Sequence, residues 1–257
     1  MSHATPPAGL DAAGPPTATG RTTIAFFDVD ETVVAAKTML DFWEFWAGSG
    51  LWPLPARVSD LRARAAAGED RTVLNRAFYR RFAGVPLALL RSATRAWYDT
   101  HRLGERAFVT AGLRAVERHQ ALGHEVVLVS GSLRPLLEAV AEDLGAVEVR
   151  CTEQAVTDDG VLTGEVDRPM IGPAKADAVT AVARARGART ADCYGYGDHE
   201  SDLAMLRSVG HAAVVGGSPA LTQEAELAGW TVFDGHRGPR RAPAHAGHHP
   251  LPASGNR

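Results

Sequence analysis

The residues with the clearest capacity for chemistry are two aspartates, Asp28 and Asp30, which directly follow the apolar run at residues 24–27. Side chains two positions apart in an extended chain leave on the same side, so both carboxylates should meet. Two such charges about 4 Å apart repel by about 4 kcal/mol at an effective dielectric constant of 20, so the pair requires a cation or a shared proton. Mg²⁺ suits this position because it prefers oxygen ligands. The alternative for this pair taken alone is a solvated turn after a strand.

A second stretch, VSGSLRP at residues 129–135, carries groups that bind anions. Ser130 supplies a hydroxyl, Gly131 permits close approach of a ligand to the backbone, and the free amides of the helix that follows attract negative charge. Helix capping by Ser132 is an alternative that can hold at the same time. The stretch therefore predicts an anion site.

Three more charged residues complete the set. Lys175, in GPAKAD, lies near the start of a predicted helix, where a cation opposes the helix dipole, so its position indicates a use for the charge. A solvated lysine is the alternative. Asp198 and Asp202, in GYGDHESDLAML, follow another apolar run. Asp198 adds a third carboxylate to the predicted cation site, whereas Asp202 could also cap its helix.

The elements that must position these residues can be inferred from the apolar pattern. Short apolar runs alternate with helical patterns, which predicts an α/β fold with a doubly wound parallel sheet and helices on both faces. Ligands of such sheets bind beyond the carboxyl ends of the strands, so the motifs should meet at one edge. The runs lie at residues 24–27, 125–130, 191–197 and 211–215, and the helical patterns at residues 113–123, 133–145, 174–187 and 201–210.

Two segments depart from this alternation. Residues 35–108 contain helical patterns and no clear strand, which predicts an inserted helical unit. Its segment MLDFWEFW is apolar on nearly all faces, so it should pack in the core of the insert, with an apolar lid over the site as the alternative. Asp159-Gly160, between short β-favouring runs, predicts a β-hairpin flap.

Taken in order, these motifs resemble the haloacid-dehalogenase-like phosphatase superfamily. The motifs are DVDETVV, then SGS after a strand, then a lysine at a helix start, then GDHESD, and the similarity runs from about residue 24 to residue 234. The helical insert resembles the C1-type cap of the phosphoserine-phosphatase-like branch, subfamily IB. The resemblance implies a Rossmann-like core at residues 22–34 and 109–234, with the cap at residues 35–108.

The resemblance also implies a role for each motif residue. Asp28 would be the nucleophile that forms an aspartyl-phosphate, and Asp30 the general acid and base. Ser130 and the amide of Gly131 would hold phosphoryl oxygens. Lys175 would offset the charge on Asp28 and the phosphate, and Asp198 would join the Asp28 carboxylate and the Asp30 carbonyl around Mg²⁺. Thr32 would help to hold the loop. Asp202 would support the lysine or the waters of the metal.

The sequence also departs from the family pattern. Glu31 and His199 stand where smaller residues are common in the family, without removing a catalytic group. Phosphoserine phosphatases of this branch place a glutamate a few residues after the first motif, where this chain reads VVAAKTMLDF. Phosphoserine is therefore not the expected substrate. Lys37 would suit a substrate with a second anionic or hydroxyl-rich part, unless it is only a surface residue of the first cap helix.

These motifs predict a Mg²⁺-dependent phosphatase that hydrolyses a small phosphorylated metabolite through an aspartyl-phosphate. A phosphotransferase that uses the same intermediate is the close alternative. A non-catalytic protein that binds a phosphorylated metabolite is the other alternative, but it would be expected to lack at least one of the motif elements. Neither the physiological substrate nor the oligomeric state follows from the sequence.

Composition excludes several other classes of function. The net charge is −3, from 27 basic and 30 acidic residues with no basic stripe, so no nucleic acid is expected as a partner. No apolar run reaches the roughly 18 residues of a membrane span, so we expect a cytoplasmic protein with reduced Cys151 and Cys193. Residues 1–21 and 235–257 are expected to be disordered tails, the second with a cluster of His245, His248 and His249 of incidental metal affinity at most.

Overall fold

A computed structural model describes residues 22–50 and 59–240 of the chain. The predicted N-terminal tail, residues 1–21, and the histidine cluster of the C-terminal tail lie outside the described residues. Within them, the strands are β1 Ile24–Phe27, β2 Phe108–Val109, β3 Glu125–Leu133, β4 Glu148–Thr152, β5 Gln154–Val156, β6 Leu162–Val166, β7 Tyr194–Gly197, β8 His211–Val215, β9 Thr231–Phe233 and β10 Arg237–Gly238. The helices are α1 Thr38–Ser49, α2 Ser59–Ala66, α3 Arg71–Tyr79, α4 Leu87–His101, α5 Thr110–Ala121, α6 Arg134–Leu144, α7 Pro173–Ala185, α8 Leu203–Arg207 and α9 Pro219–Ala228.

The central sheet has six strands in the order β4-β3-β1-β7-β8-β9, and every neighbouring pair is parallel. Alternate residues of β1 enter different apolar clusters. Ala25 and Phe27 pack with residues of α5 and α6, whereas Ile24 and Phe26 pack with residues of α7 and α8. Because β1 is covered on both faces, its sequence is a continuous apolar run, as expected for a central parallel strand. The predicted doubly wound α/β fold is confirmed.

The described secondary structure between β1 and β2 is helical apart from isolated bridges, and its helices α1 to α4 lie in the segment predicted to be an insert. Their core is aromatic. Trp43 of α1 packs edge-on against Phe78 at 5.5 Å and Phe82 at 5.3 Å between ring centroids, and Phe42 stacks on Trp46 at 5.4 Å. The apolar faces of α1 therefore serve mainly to pack the core of the insert. No helix in the described part of the chain is long and apolar enough to cross a membrane.

The predicted hairpin is present as the antiparallel pair β5 and β6, with Gly160 in its turn at a φ of 80°. The hairpin contacts the segment between α3 and α4 of the insert. The amide of Gly84 donates to the carbonyl of Leu162 at 2.8 Å, and the amide of Leu162 donates to the carbonyl of Val85 at 2.9 Å. The flap and the insert are therefore joined by backbone hydrogen bonds.

The predicted C-terminal boundary of the core at residue 234 is wrong, because the described chain continues beyond it and forms the strand β10. This strand pairs with β2 in antiparallel fashion, Arg237 opposite Val109 and Gly238 opposite Phe108. The amide of Thr110 also donates to the carbonyl of His236 at 2.8 Å. Backbone pairing of this kind requires few apolar side chains, so composition alone does not reveal it. Residues 241–257 lie outside the described residues.

Candidate active site

The predicted site residues converge on a cavity of about 90 Å³ at the carboxyl ends of β1, β3 and β7. The site is therefore built where the central strands end and their loops begin, as expected for an open parallel sheet. The cavity is lined by Asp28, Asp30, Lys37, Met39, Arg71, Asn75, Ser130, Gly131, Ser132, Met170, Ile171, Lys175, Asp198, His199 and Ser201.

Asp28 is held as part of a buried ion-pair network. Its backbone amide donates to the carbonyl of Tyr196 at 2.9 Å, which continues the pairing of β1 with β7. The Nζ of Lys175 donates to Oδ1 of Asp28 and to Oδ1 of Asp202, each at 2.5 Å, and all three residues are at least 95% buried. Burial raises the pKa of Asp28, and the charge of Lys175 opposes that rise.

Lys175 carries a stable positive charge in this network. Burial acts to lower its pKa, but the charges of Asp202 and Asp28 outweigh burial and raise the pKa above its usual value. Its position in the first turn of α7 is unfavourable toward the helix dipole. The two carboxylates offset that cost, so Lys175 supplies a fixed cation beside Asp28.

Asp30 lies in a separate environment. Both of its carboxylate oxygens accept from Thr38, the first residue of α1: Oδ1 from the hydroxyl at 2.6 Å and Oδ2 from the backbone amide at 3.1 Å. Burial first, and then the charge of Asp28, raises the pKa of Asp30 to about 7. A carboxyl group with such a pKa can both donate and accept a proton near neutral pH.

Ser130, Gly131 and Ser132 form a tight polar loop at the end of β3. The amide of Ser132 donates to Oγ of Ser130 at 3.1 Å. The carbonyl of Gly131 accepts from Nδ2 of Asn75 at 3.0 Å and from the hydroxyl of Tyr79 at 3.1 Å. Ser132 does not cap α6, because β3 continues through Leu133 and the helix begins at Arg134 without a side-chain cap. Its hydroxyl instead lies 2.8 Å from that of Thr38.

Three carboxylates are close enough to share a cation. Oxygens of Asp28, Asp198 and Asp202 lie within 4.8 Å of one another. Asp202 accepts from Lys175 and, through Oδ2, from the amides of Asp198 at 3.3 Å and His199 at 3.1 Å. Both oxygens of Asp202 already accept hydrogen bonds from Lys175 and these amides. Asp28 and Asp198 are therefore the carboxylates left for a metal ion. Burial, and then the charge of Asp28, raises the pKa of Asp198 to about 8, so the charge of the Asp198 carboxylate is not offset as that of Asp28 is by Lys175, and a site for Mg²⁺ between the two side chains fits this imbalance.

The structure places Thr32 between the first and last motifs. Its hydroxyl lies 3.4 Å from Oδ2 of Asp28 and 3.3 Å from Oδ1 of Asp198. Thr32 is fully buried, and its backbone meets Gly112 so closely that an added Cβ there would lie 1.9 Å from the Thr32 carbonyl oxygen. The loop after β1 is therefore held in place both by its hydroxyl contacts and by a glycine of α5.

Lys37 reaches the pocket rim but is paired. Its Nζ lies 2.6 Å from a carboxylate oxygen of Glu31, and Arg237 contacts the other oxygen of Glu31 at 3.1 Å. Glu31 adopts a left-handed backbone conformation, with a φ of 59°, in the turn between Asp30 and Thr32. Lys37 is thus paired with the loop after β1 and is not a free cation.

The predicted residues Asp28, Asp30, Lys37, Ser130, Gly131, Lys175 and Asp198 all line the cavity, and Thr32 and Asp202 lie behind it. Four further residues at or beside the cavity were not predicted individually from the sequence: Thr38, Arg71, Asn75 and Tyr79. Arg71, Asn75 and Tyr79 recur every fourth residue, which places them on one face of α3. That spacing could have indicated a shared face, but the sequence of α3 does not show which element this face contacts.

Comparisons with known proteins agree with the predicted family and fold. A model of the haloacid dehalogenase-like hydrolase family matches residues 25–207. The chain is 33% identical over 228 residues to the inhibition of morphological differentiation protein of Streptomyces azureus, covering 84% of this chain and 79% of that protein. It is 31% identical over 217 residues to a probable phosphatase of Mycobacterium tuberculosis, covering 82% of this chain and 75% of the relative.

A solved structure of phosphoserine phosphatase with a phospho-aspartyl intermediate analogue has a TM-score of 0.63 and 20% identity, and the match covers 85% of this chain and 95% of that one. At this level of identity, the likeness concerns the fold.

Proposed function

Since the chain belongs to the haloacid dehalogenase-like hydrolase family, we propose that it is a Mg²⁺-dependent phosphatase that hydrolyses monoesters of small phosphorylated metabolites. The observation that carries the proposal is the contrast between the two carboxylates of the first motif. Asp28 is paired with Lys175, whereas Asp30 is bound by Thr38 and has its pKa raised to about 7. One carboxylate is set up to attack, and the other to transfer a proton.

The reaction follows from these two environments. A carboxylate oxygen of Asp28 attacks phosphorus, and the bond from phosphorus to the ester oxygen breaks. Asp30 gives its proton to that leaving oxygen, so an alcohol departs and an aspartyl-phosphate remains on Asp28. Asp30, now ionised, accepts a proton from a water molecule as that water attacks phosphorus. Asp28 and inorganic phosphate are released, and Asp30 is protonated again.

Charge neutralisation is the other requirement of phosphoryl transfer. Lys175 supplies a buried cation 2.5 Å from Asp28, and Ser130 and the amide of Gly131 supply donors for phosphoryl oxygens. We assign Mg²⁺ to Asp28 and Asp198, with the carbonyl of Asp30 as a further oxygen ligand. When bound, the ion would neutralise charge on the phosphoryl oxygens.

The inserted helices serve as the cap in this proposal. From residues 35–108 the cavity is lined by Lys37, Met39, Arg71 and Asn75, so no carboxylate from the described part of the insert faces it. This composition disfavours a substrate ammonium group, as in phosphoserine, and favours a second anionic or hydroxyl-rich part. Lys37 is paired with Glu31, whereas Arg71 forms no ion pair within the described residues, so Arg71 is the better-placed cation for that part.

The experiment that tests the proposal is phosphate release from a broad panel of phosphorylated metabolites, with Mg²⁺ and with a chelator. Asp28→Asn, prepared in parallel, controls for contaminating phosphatases. We expect metal-dependent release that the variant lacks, and phosphoserine should not rank first. Release that survives in Asp28→Asn would refute the assignment of the nucleophile. Adding acceptor alcohols to the same assay distinguishes a phosphotransferase, which would form a new ester in place of part of the phosphate.

A further inference from the structure

The carbonyl of Gly131 links the inserted helix α3 to the phosphate-binding loop. It accepts from the hydroxyl of Tyr79 at 3.1 Å and from Nδ2 of Asn75 at 3.0 Å. We propose that Tyr79 and Asn75 are positioning residues for the phosphoryl group and act through this carbonyl, an inference that rests on the proposed phosphatase function. Neither residue belongs to the motifs after β1, β3 and β7.

The helix that carries the two donors, α3, has anchors of its own at its N-terminus and in its middle. Asp70 caps α3 by accepting from the amides of Thr72 at 2.8 Å and Val73 at 3.2 Å. Arg76 donates to the carbonyls of Val166 at 2.5 Å and Asp167 at 2.6 Å, at the end of the hairpin flap. Since α3 is anchored independently, its two bonds to Gly131 can constrain the loop.

The direction of the Tyr79 bond is set by its neighbours. The amide of Met170 donates to Oγ1 of Thr152 at 2.9 Å, so the hydroxyl proton of Thr152 is available to the hydroxyl of Tyr79, with which it forms a hydrogen bond. Tyr79 then uses its own proton for the carbonyl of Gly131. Together with Asn75, it occupies both lone pairs of that oxygen.

The effect reaches the phosphate through one peptide unit. The carbonyl of Gly131 and the amide of Ser132 belong to the same peptide group, so donors on the carbonyl strengthen that amide as a donor. The amide donates to Oγ of Ser130 at 3.1 Å, and both serines are 2% exposed. Because Oγ of Ser130 accepts this bond, its proton remains free to point at a phosphoryl oxygen.

Tyr79 allows a clean test, because it is fully buried and is not among the residues that line the cavity. Any effect of Tyr79→Phe on phosphate binding must therefore pass through a hydrogen-bond partner of its hydroxyl, Gly131 or Thr152, or through general stability, and the cycle with Asn75 tests the route through Gly131. Tyr98→Phe is the matched control: Tyr98 is another buried tyrosine of the insert, and its hydroxyl donates to Asp143 of α6 at 2.8 Å, away from the cavity. Each variant removes one hydroxyl that joins the insert to the core, and Tyr79→Phe also removes the bond from Thr152.

The measurement is the dissociation constant of inorganic phosphate for the full chain in saturating Mg²⁺, by titration calorimetry, beside the melting temperature of each variant. A single hydrogen bond contributes about 1 kcal/mol, so we expect Tyr79→Phe to weaken phosphate binding roughly two- to tenfold. Tyr98→Phe should leave it within about twofold, whatever its melting temperature. Equal phosphate affinity in Tyr79→Phe and Tyr98→Phe would refute the role of Tyr79.

A second variant tests whether both donors act on the same carbonyl. Asn75→Leu removes its bond to Gly131, and the double variant Asn75→Leu/Tyr79→Phe completes a cycle. Residues that share one acceptor should show non-additive losses, whereas additive losses would place their effects on separate groups and refute the shared route. A wild-type protein that neither binds phosphate nor releases it from any ester would instead refute the proposed function, so the two failures are distinguishable.

Discussion

Replacing Asp198 by asparagine should stabilise the metal-free protein while it removes metal binding. Asp198 lies beside Asp28, and burial together with that neighbour raises its pKa from 3.8 to about 8. The folded protein therefore retains a proton on Asp198 that the unfolded chain releases above about pH 4. Asparagine has nearly the same shape, needs no proton, and keeps an oxygen that can accept from the hydroxyl of Thr32.

The size of the effect follows from this shift in pKa. Between 3.8 and pH 7 there are roughly three pH units, and each unit corresponds to about 1.4 kcal/mol, which gives an upper limit of about 4 kcal/mol. Asp198 is only partly buried and faces the cavity, so solvent screening should reduce the gain to about 2 kcal/mol. The sign is fixed: a raised pKa in the folded state makes wild-type stability fall as pH rises from about 4 to about 8.

The assay is urea unfolding in chelator at several pH values from 4.5 to 8, with Asp177→Asn, at an exposed carboxylate of α7, as the control. The gain in Asp198→Asn should be small at pH 4.5 and reach about 2 kcal/mol at pH 7. With Mg²⁺ at 100 times its dissociation constant, the wild type should gain about 2.7 kcal/mol and the variant little. A variant that is no more stable than the wild type at pH 7 in chelator would show that the carboxylates are not in electrostatic conflict.

Three further predictions concern turnover and substrate binding. Asp30→Asn should slow hydrolysis by about 10²- to 10⁴-fold and let a phosphoenzyme accumulate, measured by acid quench of labelled protein; normal turnover would remove its acid and base role. Thr38→Val should lower kcat about tenfold for alkyl esters, which need a proton on the leaving oxygen, and much less for aryl esters; an equal loss for both would contradict the orientation of Asp30 by Thr38. Arg71→Gln should raise KM for esters with a second anionic group about tenfold, and Lys37→Gln should raise it by less. A larger increase in KM for Lys37→Gln than for Arg71→Gln would make Lys37 the specificity residue.

The core of the fold could be predicted from the sequence because buried parallel strands leave a strong local pattern. Ile24–Phe27 and the start of β3 are continuous apolar runs, and both lie at the centre of the sheet. The two strands of this sheet that were not predicted from the sequence, β4 and β9, lie at its two edges. Edge strands are less buried, so their sequences, EVRCT and TVF, lack that run. β2 and β10 were missed because each has only two residues and is defined by backbone pairing.

The candidate site could be predicted only where its residues lie next to a strand end. Asp28, Ser130 and Asp198 each follow an apolar run, so the topology brings them together. Thr38 and Tyr79 carry no such mark, since their partners lie 8 and 52 residues away and the contacts depend on how the insert packs. The pairing of Lys37 with Glu31 was missed for a related reason: it depends on the left-handed turn at Glu31, which a residue other than glycine does not indicate.

The inserted helices therefore hold two different parts of the candidate site. Thr38 of α1 binds both oxygens of Asp30, while α3 binds the carbonyl of Gly131. Asp28, in contrast, takes its partners from the core, Lys175 of α7 and the amide pairing with β7. If the insert moved away as a unit, Asp28 would keep its cation, but Asp30 and the loop at residues 130–132 would both lose their supports. Efficient phosphoryl transfer should then require the insert to be docked, which couples the chemistry to the exclusion of water from the cavity.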